Sequence, residues 1–257
     1  MDYNFHTHTF LCNHASGTPE EYVKRAIECG IKYLGFSDHI PFVFPDGYES
    51  YFRIPFEKIN CYVSEISALR DKYKNQIDIK IGFEMEYYHE HFKAMLKIAK
   101  DYGIEYLILG QHFIYNEHPA GLMTCRQHEN IEDLRAYIDC VSEGIMSGVY
   151  TYVAHPDMFA FDCDSDVYCN EIRKICVLSR EHNVPLEINF LGIRSDRHYP
   201  NKIFWKIAGE EQSPVTFGFD AHSALDAFDD KSLPTAMELV NKYKLNYIGM
   251  PKLVNII

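Results

Sequence analysis

Short apolar runs alternate with amphipathic stretches along almost the whole chain. The runs are rich in Ile, Val, Phe and Tyr, a composition typical of buried strands. They lie at Tyr3–His6, Tyr33–Asp38, Ile77–Glu84, Tyr106–His112, Tyr150–His155, Leu186–Phe190 and Val215–Asp220. Tyr247–Met250 is a weaker candidate for a further strand.

The stretches between these runs have the spacing of amphipathic helices. Thr18-Pro19-Glu20-Glu21 is a capping box with proline at the first helical position, and Gly30 ends the helix that follows. Further helices are predicted at Ile59–Tyr73, Phe92–Gly103, Ile131–Ser147, Ser165–His182, Asn201–Ala208 and Leu233–Lys244. Because strands alternate with helices, we expect an α/β fold with a parallel sheet, either open or closed into a barrel. No linker or repeat is visible, so one domain over residues 1–257 is expected.

Nearly every predicted strand ends in a histidine or an acidic residue. These residues are His6 with His8, Asp38 with His39, Glu84, His112, His155, and Asp220 with His222. In a parallel α/β protein the carboxyl ends of the strands lie on the same side, where active sites are built. Residues far apart in the sequence are therefore expected to converge in one pocket.

The residue types in this set favour a cluster of transition metals. His6 and His8 are two apart on an extended strand, so both imidazoles can reach one ion. Imidazole and carboxylate ligands without thiolate suit Zn, Mn or Fe. The set exceeds the needs of one tetrahedral ion, which favours a multinuclear site with Glu84 as a bridge. Three divalent ions and two carboxylates would carry a charge of about +4, suited to a phosphate ester dianion.

Composition excludes several other classes of protein. A net charge of -12 argues against nucleic-acid binding, which would need a basic face. The eight cysteines, Cys163 among them, include no Cys-x-x-Cys pair, so a zinc ribbon or thioredoxin-type site is not expected. No signal-peptide pattern follows Met1, and no apolar stretch approaches the roughly 20 residues of a membrane span. We therefore expect a cytoplasmic protein with reduced thiols and no membrane contact.

The order and spacing of these motifs resemble the PHP (polymerase and histidinol phosphatase) superfamily over nearly the whole chain. The motifs are His6-Thr7-His8, His14, Ser37-Asp38-His39, Gly82-Phe83-Glu84, Gly110-Gln111-His112, Ala154-His155-Pro156-Asp157 and Phe219-Asp220-Ala221-His222. The length and the segment Glu187-Ile188-Asn189 most resemble the monofunctional histidinol-phosphate phosphatase branch. Asn4-Phe5 and Gln111 depart from the usual family pattern, but neither change removes a ligand.

This resemblance implies a distorted (β/α)7 TIM-like barrel and a set of metal ligands. The first metal would be bound by His6, His8, Glu84 and Asp220. The second would be bound by Glu84, His112 and His155, and the third by His14, His39 and His222. The expected cofactors are thus two or three divalent ions, and Asp38 would orient an imidazole from outside the ligand set.

The loop after the sixth predicted strand contains Arg194, Arg197 and His198. The resemblance implies a phosphate-binding arginine in this loop, and Arg194 is the first choice. A guanidinium can bind two phosphate oxygens at once. The alternative is a solvated surface loop. Asp38, His198 or water would protonate the leaving alkoxide, and the sequence does not choose among them.

The resemblance implies hydrolysis of a small phosphorylated substrate, first L-histidinol phosphate, by a metal-bridging hydroxide, as in histidine biosynthesis. Another phosphoesterase of the superfamily is the first alternative: a phosphodiesterase, a nuclease or a protein-tyrosine phosphatase. An amidohydrolase-like enzyme is the second, although no lysine lies at a strand end. A binding or regulatory protein without catalysis is the third. The sequence leaves the metal identity, the exact substrate and the oligomeric state open.

Overall fold

A computed structural model describes residues 1–161 and 165–257, with the side chain of residue 165 excepted. Over these residues the chain forms one sheet of eight parallel strands in the order β1 to β8. The strands are β1 (Tyr3–Asn4), β2 (Tyr33–His39), β3 (Asp78–Met85), β4 (Tyr106–Leu109), β5 (Tyr150–Val153), β6 (Leu186–Asn189), β7 (Pro214–Gly218) and β8 (Asn246–Tyr247).

The sheet curls until the segments that follow β7 and β1 meet. Thr7 and Ala221 form an isolated parallel bridge, in which the His8 amide donates to the Ala221 carbonyl at 2.9 Å. The β8 strand pairs with the amino-terminal end of β7, through Pro214 and Val215. The expected TIM-like α/β barrel is thus confirmed, with β8 as a short additional strand.

Helices connect the strands and cover the outside of the sheet. They are α1 (Pro19–Glu28), α2 (Ile59–Tyr73), α3 (Phe92–Asp101), α4 (Ile131–Met146), α5 (Ser165–His182), α6 (Phe190–Arg194), α7 (Lys202–Glu211) and α8 (Leu233–Tyr243). The short α6 helix was not predicted. It begins directly after β6 because the Asn189 side chain accepts a hydrogen bond from the Gly192 amide and caps the new helix.

Two hydrophobic clusters lie on opposite faces of the sheet. On β4, Leu107 and Leu109 pack with the helices, whereas Tyr106 and Ile108 belong to a smaller cluster inside the barrel. The Tyr106 ring fits only because a neighbouring residue, Gly82, has no side chain. A Cβ added at Gly82 would come within 2.4 Å of that ring. Tyr106 therefore fills the barrel below the level of the strand ends.

The remaining sequence expectations concern membranes and thiols. Within the described part of the chain, no helix is both long and apolar enough to cross a membrane. The described cysteines are free thiols, among them the buried Cys12 and Cys176. Cys163 lies outside the described residues.

Candidate metal centre

The side chains predicted as metal ligands converge at the carboxyl ends of the strands. Each lies at the end of a strand or in the segment that follows it, except His14, which follows a short 3-10 helix at Phe10–Cys12. The structure brings together all nine: His6, His8, His14, His39, Glu84, His112, His155, Asp220 and His222. The convergence expected from strand placement is therefore present.

Glu84 lies at the centre of this group, and its two carboxylate oxygens face different imidazoles. Oε1 is 2.9 Å from Nε2 of His155 and 3.4 Å from Nε2 of His112. Oε2 lies 3.2 to 3.5 Å from one nitrogen each of His39, His6 and His8. A carboxylate placed in this way can bridge two ions.

Asp220 supplies the second carboxylate of the cluster. Its Oδ1 lies 3.2 Å from Nε2 of His8, 3.5 Å from Nε2 of His6 and 3.3 Å from Nδ1 of His222. Its Oδ2 accepts a hydrogen bond from the Asn189 side chain at 3.0 Å. One oxygen is thereby fixed, and the other faces the imidazoles.

Several buried atoms of the cluster have no hydrogen-bond partner among the described residues. They are Nε2 of His6, Nε2 of His8, Nδ1 of His39 and both carboxylate oxygens of Glu84. A buried polar atom without a partner destabilises a fold by about 1–3 kcal/mol, so a set of them in one place is typical of a site that binds a ligand. The donors are imidazole nitrogens and carboxylate oxygens, which suit Zn, Mn or Fe.

Among the described residues, five groups of three side chains have ligand atoms that all lie within 4.8 Å of one another. They are His6, His8 and Glu84; His39, Glu84 and His112; His14, His39 and His222; His6, His155 and Asp220; and His8, Cys12 and His222. Two of these groups share Glu84, and two share His39. The residues can therefore bind several divalent ions close together.

Several of these imidazoles face the cluster with Nε2 and contact an oxygen atom outside the cluster with Nδ1. Glu187 Oε1 lies 2.8 Å from Nδ1 of His6, and Asp38 Oδ1 lies 3.4 Å from Nδ1 of His8. Such contacts fix the tautomer and leave Nε2 free to bind a metal. Asp38 thus lies where it can orient His8, whereas the contact of Glu187 with His6 was not foreseen from the sequence.

Glu86 was also missed, although its spacing could have identified it. Its Oε1 lies 3.2 Å from Nδ1 of His112. Glu86 is two residues after Glu84, and residues i and i+2 at a strand end point to the same side. A second carboxylate at this spacing is a signal for a group that orients a ligand.

The charges in the cluster shift the pKa values in opposite directions. Burial alone would lower the pKa of His8, but the nearby carboxylates of Asp220 and Asp38 raise it to about 9. Burial lowers the pKa of His39 well below its usual value, and the nearby His8 adds to the effect. Burial would raise the pKa of Glu84, but the surrounding histidines hold it well below its usual value. The low pKa means that the Glu84 carboxylate is ionised.

A cavity of about 180 Å³ opens onto the cluster. Its remaining wall is mainly apolar and consists of Phe52, Met123, Cys125, Met158, Leu191 and Tyr199, together with Arg197. The Arg197 side chain is exposed at the mouth, where its Nη1 donates to the Tyr199 hydroxyl at 2.9 Å. A guanidinium group thus lies beside the metal-ligand set.

The structure places Arg194 differently from the sequence expectation. Its guanidinium donates to the backbone carbonyls of Phe219 and Asp220 and lies 3.3 Å from Asp226. Arg194 does not belong to the described lining of the cavity. These contacts occupy its donors, so the geometry argues against Arg194 as the phosphate-binding arginine.

His198 and Asp38 are also unsuited to protonate a leaving group in the cavity. Nε2 of His198 lies 2.7 Å from the Met158 carbonyl, and the ring is not part of the described cavity lining. Asp38 is buried, and its Oδ2 accepts hydrogen bonds from the Thr9 amide and hydroxyl. The geometry thus assigns Asp38 an orienting contact rather than proton donation.

Comparison with protein families identifies the arrangement. A family model described as the PHP domain matches residues 4–190. The chain belongs to the PHP domain family. The matched part contains the candidate ligands from His6 to His155, whereas Asp220 and His222 follow it on the segment after β7. The resemblance drawn from the motifs is confirmed.

Several similar proteins carry the name histidinol-phosphatase. A probable histidinol-phosphatase of Deinococcus radiodurans is 27% identical over 225 residues, covering 84% of this chain and 85% of the relative. A histidinol-phosphatase of Bacillus subtilis is 25% identical over 255 residues, covering 86% and 93%. The crystal structure of a histidinol phosphate phosphatase from Lactococcus lactis, in complex with zinc, L-histidinol and phosphate, has a TM-score of 0.71. It is 19% identical, covers 96% of this chain and 95% of its own, and shows the same fold.

Proposed function

We propose that this protein hydrolyses L-histidinol phosphate to L-histidinol and inorganic phosphate in a metal-dependent reaction. The central observation is Glu84, whose two oxygens face different imidazoles. Both oxygens, and one nitrogen each of His6, His8 and His39, are buried without a hydrogen-bond partner among the described residues. The names of the relatives from Deinococcus radiodurans and Bacillus subtilis support the choice of substrate. So does the neighbouring structure, which contains zinc, L-histidinol and phosphate.

The nine converging side chains would hold two or three divalent ions. Glu84 and Asp220 would contribute carboxylate oxygens, and the seven histidines would contribute neutral nitrogens. Bound ions of this kind supply Lewis-acid stabilisation of phosphoryl oxygens and lower the pKa of water. A third ion at His14, His39 and His222 belongs to this proposal, because these side chains form a group of their own.

Arg197 takes the role of binding the phosphate. Its guanidinium is at the cavity mouth, and the Tyr199 hydroxyl fixes one of its nitrogens. The other nitrogens can donate to two phosphate oxygens at once, a geometry that the guanidinium favours. Charge develops on these oxygens as the ester bond breaks, so a fixed cation beside them stabilises the transition state.

The apolar wall and the size of the cavity favour a small substrate. Phe52, Met123 and Met158 offer contacts to the imidazole and carbon chain of histidinol and exclude water from the reacting group. The volume of about 180 Å³ is below the roughly 300 Å³ at which pockets for drug-sized ligands begin. With a net charge of -12, this argues against a nuclease.

The leaving alkoxide must receive a proton, and water is the donor in this proposal. The two side chains considered from the sequence, Asp38 and His198, are engaged by Thr9 and by the Met158 carbonyl. We place the reaction in the cytoplasm, where free thiols such as Cys12 and Cys176 remain reduced.

Steady-state kinetics with several substrates tests this proposal. The ratio kcat/KM is measured for L-histidinol phosphate, an aryl phosphate, a phosphotyrosine peptide and single-stranded DNA, on protein whose metals have been counted. A strong preference for L-histidinol phosphate is expected. Equal slow turnover of both small esters would leave a phosphatase but overturn the substrate, and preference for the peptide or DNA would favour the corresponding alternative.

A further inference from the structure

A buried arginine lies between two glutamates next to the metal centre. Arg53 is only 1% exposed. Its Nη1 and Nη2 donate to the two carboxylate oxygens of Glu86 at 2.6 and 2.8 Å, and its Nε donates to Glu117 at 2.9 Å. The three charged side chains come from separate parts of the chain: the loop after β2, the end of β3 and the loop after β4.

Glu86 connects this group to a metal ligand. The oxygen of Glu86 that accepts from Arg53 Nη2 also lies 3.2 Å from Nδ1 of His112. On the other side of that imidazole, Nε2 lies 3.4 Å from Glu84. Arg53, Glu86, His112 and Glu84 therefore form a continuous chain of polar contacts that ends in the bridging carboxylate.

Glu117 completes the group from the side away from the metals. Its carboxylate accepts hydrogen bonds from the Ser50 hydroxyl at 2.7 and 2.8 Å and from the Tyr48 hydroxyl at 3.3 Å. Both donors belong to the same loop as Arg53. The oxygens of Glu117 are thereby occupied, so this side chain holds Arg53 in place and has no contact with the ligand imidazoles among the described interactions.

The loop also places an aromatic ring against the ligands. Phe52 precedes Arg53, and its ring centroid lies 4.1 Å from that of His39 and 5.0 Å from that of His112. The Ile54 amide on the other side of Arg53 donates to the His39 carbonyl at 3.2 Å. Any shift of the Arg53 backbone would therefore move Phe52, which is part of the cavity wall.

Buried ion pairs contribute little to stability by themselves, because each charge loses its hydration. A guanidinium and two carboxylates at this depth therefore call for another explanation than packing. A histidine that binds a metal needs a fixed acceptor for its second nitrogen, and removal of such acceptors typically weakens metal binding by about 10- to 100-fold. Glu86 meets that need only while Arg53 holds both of its oxygens.

We propose that the Arg53–Glu86 pair is a positioning device for the metal ligand His112. Glu86 fixes the tautomer and direction of the imidazole, Arg53 fixes Glu86, and Glu117 fixes Arg53. The same arginine keeps Phe52 against the ligand rings, so the wall of the cavity and the metal site are set by one group. This inference rests on the proposed metal centre but not on the proposed substrate.

The test is the affinity of the protein for Zn²⁺, measured by competition with a chromophoric chelator. Glu86→Gln keeps the volume of the side chain and removes its charge. We expect its weakest-bound Zn²⁺ to be held about 10- to 100-fold less tightly than in the unchanged protein. Because no phosphate ester is present, the substrate proposal can fail without changing this result.

Glu105→Gln is the matched control. Glu105 precedes β4, at the opposite end of the strand from His112, and accepts from Arg70 at 3.0 Å. This variant also removes a carboxylate paired with an arginine, but it is far from the ligands along β4. Unchanged Zn²⁺ affinity is expected. Equal losses in Glu86→Gln and Glu105→Gln would reduce the effect to general destabilisation and overturn the proposal.

Two milder variants keep the test decisive if Glu86→Gln does not fold. Arg53→Lys retains the charge but loses the paired contact with Glu86, and Glu117→Gln weakens the support of Arg53. The loss of Zn²⁺ affinity should decrease in the order Glu86→Gln, Arg53→Lys, Glu117→Gln. Wild-type affinity in both Arg53→Lys and Glu117→Gln would contradict the proposed chain of contacts.

Discussion

At the scale of single residues, Glu84 lies at the middle of the candidate metal centre. Its carboxylate is buried, ionised and surrounded by imidazoles from four different strand ends. Neither oxygen has a hydrogen-bond partner among the described residues. A charged group in this setting is stable only if cations lie nearby, either protonated histidines or metal ions.

Glu84→Gln is therefore expected to remove metal from both groups that share this side chain. The amide keeps the shape but loses the charge that holds the ions together. Loss of a side chain that only orients a metal ligand typically lowers metal affinity or activity by about 10- to 100-fold. Loss of the Glu84 carboxylate itself should have a larger effect, so we expect kcat/KM to fall by more than about 100-fold. Metal content per chain, measured by mass spectrometry, should fall in parallel. Full metal content and full activity would exclude a bridge at Glu84.

The two arginines of the loop after β6 should respond differently to the same substitution. Arg197→Met removes the proposed phosphate contact, so kcat/KM should fall about 10- to 100-fold with little change in Tm. Arg194→Met removes hydrogen bonds to the Phe219 and Asp220 carbonyls and should destabilise the fold by about 1.5–3 kcal/mol. An activity loss in Arg194→Met at unchanged Tm would return the phosphate contact to Arg194.

The sequence predicts the ligands better than the residues that support them. His6 and His8 are visible because their alternation and their place at a strand end are local features. The pairing of Arg53 with Glu86 joins residues 33 positions apart, and nothing local shows that an arginine is buried. The roles of Arg194 and Arg197 depend on which way two neighbouring side chains point, which spacing alone does not determine.

At the scale of elements, β4 shows how the sheet makes room for its interior. Tyr106 points into the barrel and donates to the Phe5 carbonyl at 2.9 Å. Gly35 on β2 and Gly82 on β3 leave space for its side chain, because a Cβ at either position would come within 2.4 Å of a Tyr106 atom. Small residues on β2 and β3 are thus matched to one large residue on β4.

A double-mutant cycle tests this match. Gly82→Ala should destabilise the fold by about 1–3 kcal/mol, because the ring of Tyr106 must move. In a Tyr106→Leu background, Gly82→Ala should lower the free energy of unfolding by less, since the smaller leucine side chain leaves room for the methyl group. Chemical denaturation provides both values. An equal cost in the two backgrounds would show that Tyr106 is not the neighbour that excludes a side chain at position 82.

The spacing of hydrophobic residues predicts the main helices and strands but not the residues at which they end. The capping box at Thr18 and the apolar spacing of Ile131–Ser147 correspond to α1 and α4 within two residues. The predicted strand Tyr106–His112 is too long, because β4 ends at Leu109. At Gly110 the Glu84 carboxylate occupies the place of a side chain, an arrangement of tertiary structure that no local pattern contains.

At the scale of the whole molecule, the candidate ligands connect nearly the full length of the chain. They extend from His6 after β1 to His222 after β7, and the sheet curls so that these two segments lie side by side. A metal cluster at this place would link the ends of six strands, β1 to β5 and β7. Binding should therefore stabilise the native fold as a unit, because the unfolded chain has no such cluster.

Removal of metal should consequently lower the stability of the entire domain. A metal ion whose free concentration is 100 times its Kd adds about 2.7 kcal/mol to the free energy of unfolding. Exhaustive chelation should therefore lower Tm by several degrees. Scanning calorimetry before chelation, after chelation and after return of Zn²⁺ or Mn²⁺ measures this effect. Identical Tm values in all three samples would show that metal binding is not coupled to folding.

The most direct measurement is release of inorganic phosphate from L-histidinol phosphate by protein of known metal content. Native, chelated and metal-restored samples are compared under the same conditions. We predict that turnover accompanies two or three ions per chain, disappears on chelation and returns when Zn²⁺ or Mn²⁺ is restored. Undiminished turnover without metal, or no hydrolysis of any phosphate ester with the metals in place, would contradict the account.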